Sequence, residues 1–281
     1  MKTTNLFRDK DNHWITNTDI LRILDENKAY DCDILYMHTG LSFGIPNPEL
    51  KKTELLASLY EILAELKLKT LVVPVFTFSF CNGTDFDLLN SKSKMGVLNE
   101  YIRKLPGSVR SADPLMSVSL LGADTDLATG IGKESIGKDS TFDKLHHRKN
   151  VKFLFLGTGL GDCFTYMHYI EYFVKSHYRY SREFSGQMIM PDKTYTDTFS
   201  LFVRYKNVYP GRGSYAYEDI LVDKGIASRT PCGNSFITLV DEPRAFEVYY
   251  DMIQGNPDYF IDSRSVHDYD KTFFVKDMVA L

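Results

Sequence analysis

His168 and Glu171, three residues apart in the segment 151–171, VKFLFLGTGLGDCFTYMHYIE, are the pair in this sequence best suited to moving a proton. On a helix that spacing puts them about 60° apart, so imidazole and carboxylate share a face. A carboxylate beside an imidazole fixes its tautomer and raises its basicity, which is what a general base near neutral pH requires. The alternative for such a pair is a solvated surface contact. Position favours chemistry. Val151–Leu156 is an apolar run stopped by glycine, as in a strand covered on both faces, and open α/β sheets bind ligands beyond the C-terminal ends of such strands. Glu100, with Arg103 at ion-pair spacing, is the other carboxylate available to support the base.

Two other chemistries in this segment are set aside. Gly157-Thr158-Gly159-Leu160-Gly161-Asp162 starts like a dinucleotide fingerprint, but Asp162 takes the place of the third glycine and no strand ending in an acid follows at the required distance. Cys163 precedes His168 by five residues, about 140° on one continuous helix, so the two are expected to diverge and the thiol to be a small buried group.

The 281 residues, 43% hydrophobic and 25% charged, suffice for one large α/β domain. A net charge of −4 and the lack of a basic block give no sign of nucleic acid as a partner, and none is expected. No window reaches the roughly 18 apolar residues of a membrane span, and the N-terminus is too polar for a signal peptide, so no membrane partner and a cytoplasmic location are expected. Cys32, Cys81, Cys163 and Cys232 have no paired spacing, which argues against a disulfide framework or a metal site.

The elements that must position the pair read as follows. Thr18 is expected to cap a helix over DILRILDENKA, and Asp31–Met37 to form the first strand. That strand runs into His38-Thr39-Gly40-Leu41-Ser42, a polar turn whose backbone N–H groups and hydroxyls suit an anionic or amide-rich ligand. Lys51–Leu66 is amphipathic and helical. TLVVPVFTFS is a buried strand whose Pro74 places it near an edge or a bend. A helix over Met95–Leu105, a glycine-bearing loop before KDSTFDKL, the strand SFITLV and a helix from Pro243 complete the regular elements. PGRGSY reads as a glycine-rich turn. The last twenty residues are expected to pack across the domain or against a neighbouring subunit, which leaves a homo-oligomer open. The fold class is α/β, a single domain over 1–281 with a central mixed β-sheet flanked by helices.

In this order the pieces resemble the aminoglycoside 3-N-acetyltransferase family. The resemblance spans about 15–245. It rests on Asp33-Ile-Leu-Tyr-Met-His38-Thr39 with Gly44, Thr70-Leu-Val-Val-Pro74-Val-Phe76-Thr77, Gly96-x-Leu-x-Glu100-x-x-Arg103, and Pro106-Gly107-x-Val-Arg110-Ser111-x-x-Pro114-x-x-Ser117. Asp139-Ser140-Thr141-Phe142-x-Lys144-Leu145 and Leu156-Gly157 leading to Thr165-x-x-His168-x-x-Glu171 complete it. The chain departs from the family pattern at Asp113-Pro114, where His-Pro is usual, and at Asp139–Phe142, where a Gly-Ser-Pro-Phe-like run is usual.

The resemblance implies an antibiotic N-acetyltransferase fold and transfer of an acyl group from acyl-CoA, as acetyl-CoA or a short hydroxyacyl-CoA, to an amino-sugar amine. His168 would be the base, supported by Glu171 or Glu100. The resemblance places CoA at His38, Thr39, Gly40 and Leu41 and at Arg110, Ser111 and Ser117. Thr77, Arg103, Lys175, Tyr178, Arg179 and Arg182 are the acceptor-side candidates, the last four of them in an acceptor-binding segment over about 171–215. Between Glu171 and Pro210 six cations face four anions, with tyrosines and phenylalanines between them. That balance suits an anionic acceptor with a flat ring, so the expectation is a nucleotide-linked amino sugar such as a dTDP-3-amino-3,6-dideoxyhexose for surface polysaccharide synthesis. The alternatives are aminoglycoside acetylation and a binding protein without catalysis.

Overall fold

The computed structural model describes residues 2–211 and 217–266. The first third holds β1 (Asn5–Arg8), β2 (Trp14–Thr16), α1 (Asn17–Glu26), β3 (Ile34–Thr39), β4 (Ile45–Pro46), α2 (Lys52–Glu65) and β5 (Thr70–Pro74). The middle holds β6 (Phe86–Asp87), α3 (Val97–Arg103), β7 (Val109–Arg110), β8 (Val118–Gly122), α4 (Thr141–His146) and β9 (Val151–Leu156). There follow α5 (Leu160–Cys163), α6 (Tyr166–Phe173), β10 (Arg179–Ile189), β11 (Thr194–Arg204), α7 (Glu218–Asp223), β12 (Ala227–Cys232), β13 (Ser235–Asp241) and α8 (Glu242–Gly255). Most of the expected turn PGRGSY and most of the last twenty residues lie outside the described residues.

The main sheet has seven strands in the order β12-β13-β9-β3-β5-β8-β7. Its centre is parallel, with β3 between β9 and β5, and the flanking pairs are antiparallel, so the sheet is mixed. Successive side chains on β3 and β9 alternate between two apolar clusters. Tyr36, Phe153 and Phe155 face one; Leu35, Met37, Leu154 and Leu156 face the other. Both faces are therefore buried, which is why these strands read as unbroken apolar runs. Leu24 of α1, Leu59 of α2 and Ile102 of α3 cover one face, while Phe142, Tyr169, Tyr249 and the hairpin residue Leu201 cover the other.

Two local readings are corrected. The first helix is capped by Thr16, not Thr18. Thr16 Oγ1 accepts from the Asp19 amide at 3.1 Å and the Asp19 carboxylate accepts from the Thr16 amide at 2.9 Å, a reciprocal pair that Asp19 provides only three residues past the cap. Of the two positions expected for Pro74, an edge or a bend, the edge is ruled out: β5 lies between β3 and β8, and the proline is tolerated as its last residue, where the strand ends. Residues 179–204, within the basic and aromatic stretch, form the hairpin β10–β11, paired over eleven residues from Arg179↔Arg204 to Ile189↔Thr194. Among the described residues no helix is long and apolar enough to cross a membrane.

Candidate active site

The three parallel strands end on the same side of the sheet, and a cavity of about 570 Å³ opens there. His38 and Thr39 close β3, Pro74 closes β5, Thr158 follows β9, and the hairpin contributes Arg179 and Leu201–Arg204. Lys94, Met95, Gly96 and Asn99 come from the start of α3, and Asp162, Cys163, Thr165 and His168 from α5 and α6. This is the strand-end position that α/β sheets use for ligands.

His168 Nδ1 lies 2.7 Å from Glu171 Oε2, with the His168 side chain 17% and the Glu171 side chain 2% exposed. Tyr178 donates its hydroxyl to the other carboxylate oxygen at 2.8 Å. Arg179 completes the group. Its Nε pairs with Glu171 Oε2 at 2.8 Å, a coulombic contact in which the Nε–H has no aligned acceptor, and its Nη2 lies 2.8 Å from His168 Nδ1. Its Nη1 donates to the Phe202 carbonyl at 2.9 Å, which ties the cluster to β11.

Burial, and then the Arg179 charge, lower His168 to about 4, so the imidazole is neutral at pH 7. Burial pushes Glu171 up, but Arg179 and the bonds from His168 and Tyr178 outweigh it and hold the carboxyl at about 2. The site thus holds a neutral imidazole on the cavity wall whose Nδ1 is engaged. His38 shares the cavity; its ring stacks on Phe155 at 5.1 Å, and burial lowers it to about 3.

Of the residues named from sequence, the cavity gathers His38, Thr39, His168 and Arg179, with Glu171 and Tyr178 directly behind His168. The rest are placed elsewhere. Glu100 is not paired with His168. It receives Arg103 at 2.7 Å and Lys104 at 3.1 Å, while Arg103 also donates to the Leu89 carbonyl. The Arg110 guanidinium is spent inside the protein on the carbonyls of Leu88, Ser91 and Val75 and on Ser117 Oγ, and it stacks over Phe86. Ser117 donates to the Val75 carbonyl and Ser111 accepts from the Val118 amide. Thr77 donates to the Pro114 carbonyl, Arg182 lies over Phe184, and Lys175 is exposed past the end of α6.

The turn after β3 also differs from expectation. The amides of Gly40 and Leu41 both donate to the Leu156 carbonyl at 3.1 Å, and Ser42 donates to Gly157, so these N–H groups are already occupied. A Cβ at Gly40 would stand 2.6 Å from the Gly157 oxygen, which is why glycine is required where the two turns meet. Thr39 remains at the cavity and donates to Asn99 Oδ1, while Asn99 Nδ2 donates to the Pro74 carbonyl; one buried amide thereby joins the ends of β3, β5 and the start of α3.

Sequence reasoning missed Phe76, Phe78, Lys94 and Asn99, and it counted Arg204 and Lys206 without assigning them to the site. The basic, aromatic composition of 171–210 pointed to the last two. Lys94 carried no local signal. Cys163 was expected to diverge from His168, yet both line the cavity, because the chain leaves helical geometry at Phe164 (ψ 73°) between α5 and α6. Burial pushes the Cys163 thiol up to about 12, so it is no nucleophile. Among the described residues no cluster of three or more histidine, cysteine or acidic side chains is arranged to hold a metal.

A mixed sheet with a neutral histidine–carboxylate pair at its strand ends is a framework able to carry acid–base chemistry on a bound ligand. The family model for aminoglycoside 3-N-acetyltransferase matches residues 52–254. The chain belongs to this family and is an acyl-CoA-dependent N-acetyltransferase that takes its acetyl group from acetyl-CoA. No curated protein sequence matches it. The fold is similar to aminoglycoside acetyltransferase AAC(3)-Xa, at 19% identity over 88% of this chain and 94% of that one, with a TM-score of 0.70. It is also similar to AAC-IIIb, solved as a binary complex with CoASH, at 17% identity over 89% and 98% with a TM-score of 0.69. AAC-VIa bound to sisomicin is 17% identical over 85% and 97%, with a TM-score of 0.69.

Proposed function

We propose that the chain acetylates an amine on an aminoglycoside, with His168 as general base, Glu171 and Tyr178 behind it, and acetyl-CoA as donor. The observation that supports this site is the imidazole on the cavity wall whose Nδ1 meets a buried carboxylate at 2.7 Å. The acceptor ammonium first gives one proton to solvent, because only the neutral amine can attack the thioester carbonyl. His168 Nε2 takes a second proton from the nitrogen as the C–N bond forms. The proton is then delivered to the CoA sulfur as the C–S bond breaks, and no covalent acyl-enzyme is needed. The cavity suits the donor: Phe76, Phe78, Met95 and Met116 offer an apolar wall for the pantetheine arm, and Lys94, Arg204 and Lys206 offer positive charge for its phosphates.

Membership of the family, together with a neighbour bound to sisomicin, favours the aminoglycoside over the nucleotide-linked amino sugar expected from charge alone. One observation keeps the nucleotide sugar as a second reading. Among the described lining residues Lys94, Arg179, Arg204 and Lys206 are basic and Asp162 is the acid, whereas a polycation is best held by carboxylates. Coenzyme A brings its own phosphates, which account for part of this charge, and Arg179 is already neutralised by Glu171. Release of CoA thiol, followed with acetyl-CoA and either sisomicin or a dTDP-linked 3-amino sugar, tests the proposal. Turnover of the aminoglycoside, abolished in His168→Ala, is the expected result. Turnover of the nucleotide sugar alone overturns the acceptor assignment in favour of the second reading.

A further inference from the structure

Arg179 poses a question that the acid–base pair alone does not answer. His168 Nδ1 has two neighbours with opposite demands: Glu171 Oε2 at 2.7 Å can only accept, and Arg179 Nη2 at 2.8 Å can only donate. Nδ1 can satisfy one at a time. With the proton on Nδ1 the imidazole donates to Glu171 and Nε2 presents a lone pair to the cavity. With the proton on Nε2 the guanidinium donates to Nδ1, and the cavity meets an N–H.

We infer that Arg179 is a positioning residue of the reaction: pressed against both Glu171 and the Nδ1 edge of His168, it balances the buried carboxylate so that no uncompensated anion holds a proton on the imidazole. The reading rests on His168 as the base of the proposed transfer. A lone buried carboxylate would make His168 a stronger base, but one that keeps what it takes. The proton received from the acceptor nitrogen at Nε2 has to leave again for the CoA sulfur as the C–S bond breaks. An imidazolium facing the Arg179 guanidinium gives it up more readily, and the free enzyme rests with a neutral imidazole.

The surroundings point the same way. Tyr178, just before β10, bonds to Glu171, and Arg204 on β11 adds a second positive field at His168. Across the cavity stand Asp162 and Cys163 of α5, neutral His38 of β3, and Lys206 beyond β11. Glu171 is the anion in contact with the ring, and Arg179 pairs with it directly. The shift of His168 to about 4, with Arg179 the largest cause after burial, agrees with this geometry. Arg179 is therefore no acceptor-binding cation, as its charge in the sequence suggested; its side chain is 5% exposed and its charge is paired with Glu171.

The test is an NMR titration of 15N-labelled histidine in the full chain, with the His168 signals assigned from their loss in His168→Asn. Wild-type His168 is expected to stay neutral throughout pH 5.5–8. In Arg179→Gln its midpoint is expected to rise by two or more pH units, while Arg179→Lys, which keeps the charge, stays near wild type. The acid limb of kcat should move with the midpoint while the KM for acetyl-CoA changes less than about threefold. A folded Arg179→Gln enzyme whose His168 titrates within half a unit of wild type overturns the inference. So does a wild-type His168 titrating at 6.5 or above, a result that needs no variant to fold. The titration uses no acceptor, so wild-type-like turnover in His168→Ala would refute the base itself while leaving the charge balance measurable.

Discussion

Replacing Glu171 by glutamine is the sharpest perturbation of the site, because it preserves shape and removes one charge from a buried cluster. The carboxylate meets His168 Nδ1 at 2.7 Å and Arg179 Nε at 2.8 Å, and its side chain is 2% exposed. Without it the guanidinium is an unpaired buried cation, and breaking such a pair costs about 3–5 kcal/mol of stability. The guanidinium also becomes the dominant neighbour of Nδ1, donates to it, and puts the imidazole proton on Nε2, the wrong nitrogen for a base. Two unit charges about 4 Å apart interact by about 4 kcal/mol at an effective dielectric of 20, which bounds how far protonation of His168 is opposed. Together these effects predict a fall in kcat of about 10²–10³-fold, within the range that general-base catalysis contributes. Urea unfolding and the CoA thiol assay measure the two consequences separately. The double variant Glu171→Gln/Arg179→Met, which removes both charges, should regain most of the lost stability but not the activity, since the base then lacks its carboxylate. A folded Glu171→Gln enzyme with kcat within threefold of wild type refutes the reasoning.

Two further predictions concern other links. His168 is lowered from 6.5 to about 4 on folding, so the native state binds fewer protons than the unfolded chain between those values, and stability falls as pH drops through that window. The loss at pH 5 is about 2 kcal/mol, and denaturant unfolding at pH 8 and pH 5 should show it in wild type and much less of it in His168→Asn. Glu171, lowered from 4.5 to about 2, contributes stability that is present above 4.5 and is lost between 4.5 and 2. Arg110→Met leaves the carbonyls of Leu88 and Ser91 without their Arg110 donor, so it is expected to destabilise the fold by about 2 kcal/mol or more. The KM for acetyl-CoA should stay within about threefold; a tenfold rise with intact stability would return Arg110 to the cofactor.

The sequence by itself determined the parts whose physics is local. The buried runs of β3, β5 and β9, the amphipathic α2, and the spacing of His168 and Glu171 depend on periods of 2 and 3.6 residues, which one stretch of chain displays without its neighbours. The order of short motifs carried the family. The tertiary structure decided which carboxylate stands beside His168, because Glu100 and Glu171 have equally good local partners and only packing places one behind the imidazole and the other against Arg103 and Lys104. It likewise decided the fate of the cations. Arg110 and Arg179 read as surface charge available to a ligand, yet each is folded inward, one onto backbone carbonyls and the other onto Glu171, since a guanidinium's several donors are best satisfied where distant segments converge. Lys94 carried no such promise and lines the cavity with Lys206, because the start of α3 and the end of β11 meet there only after the sheet has formed.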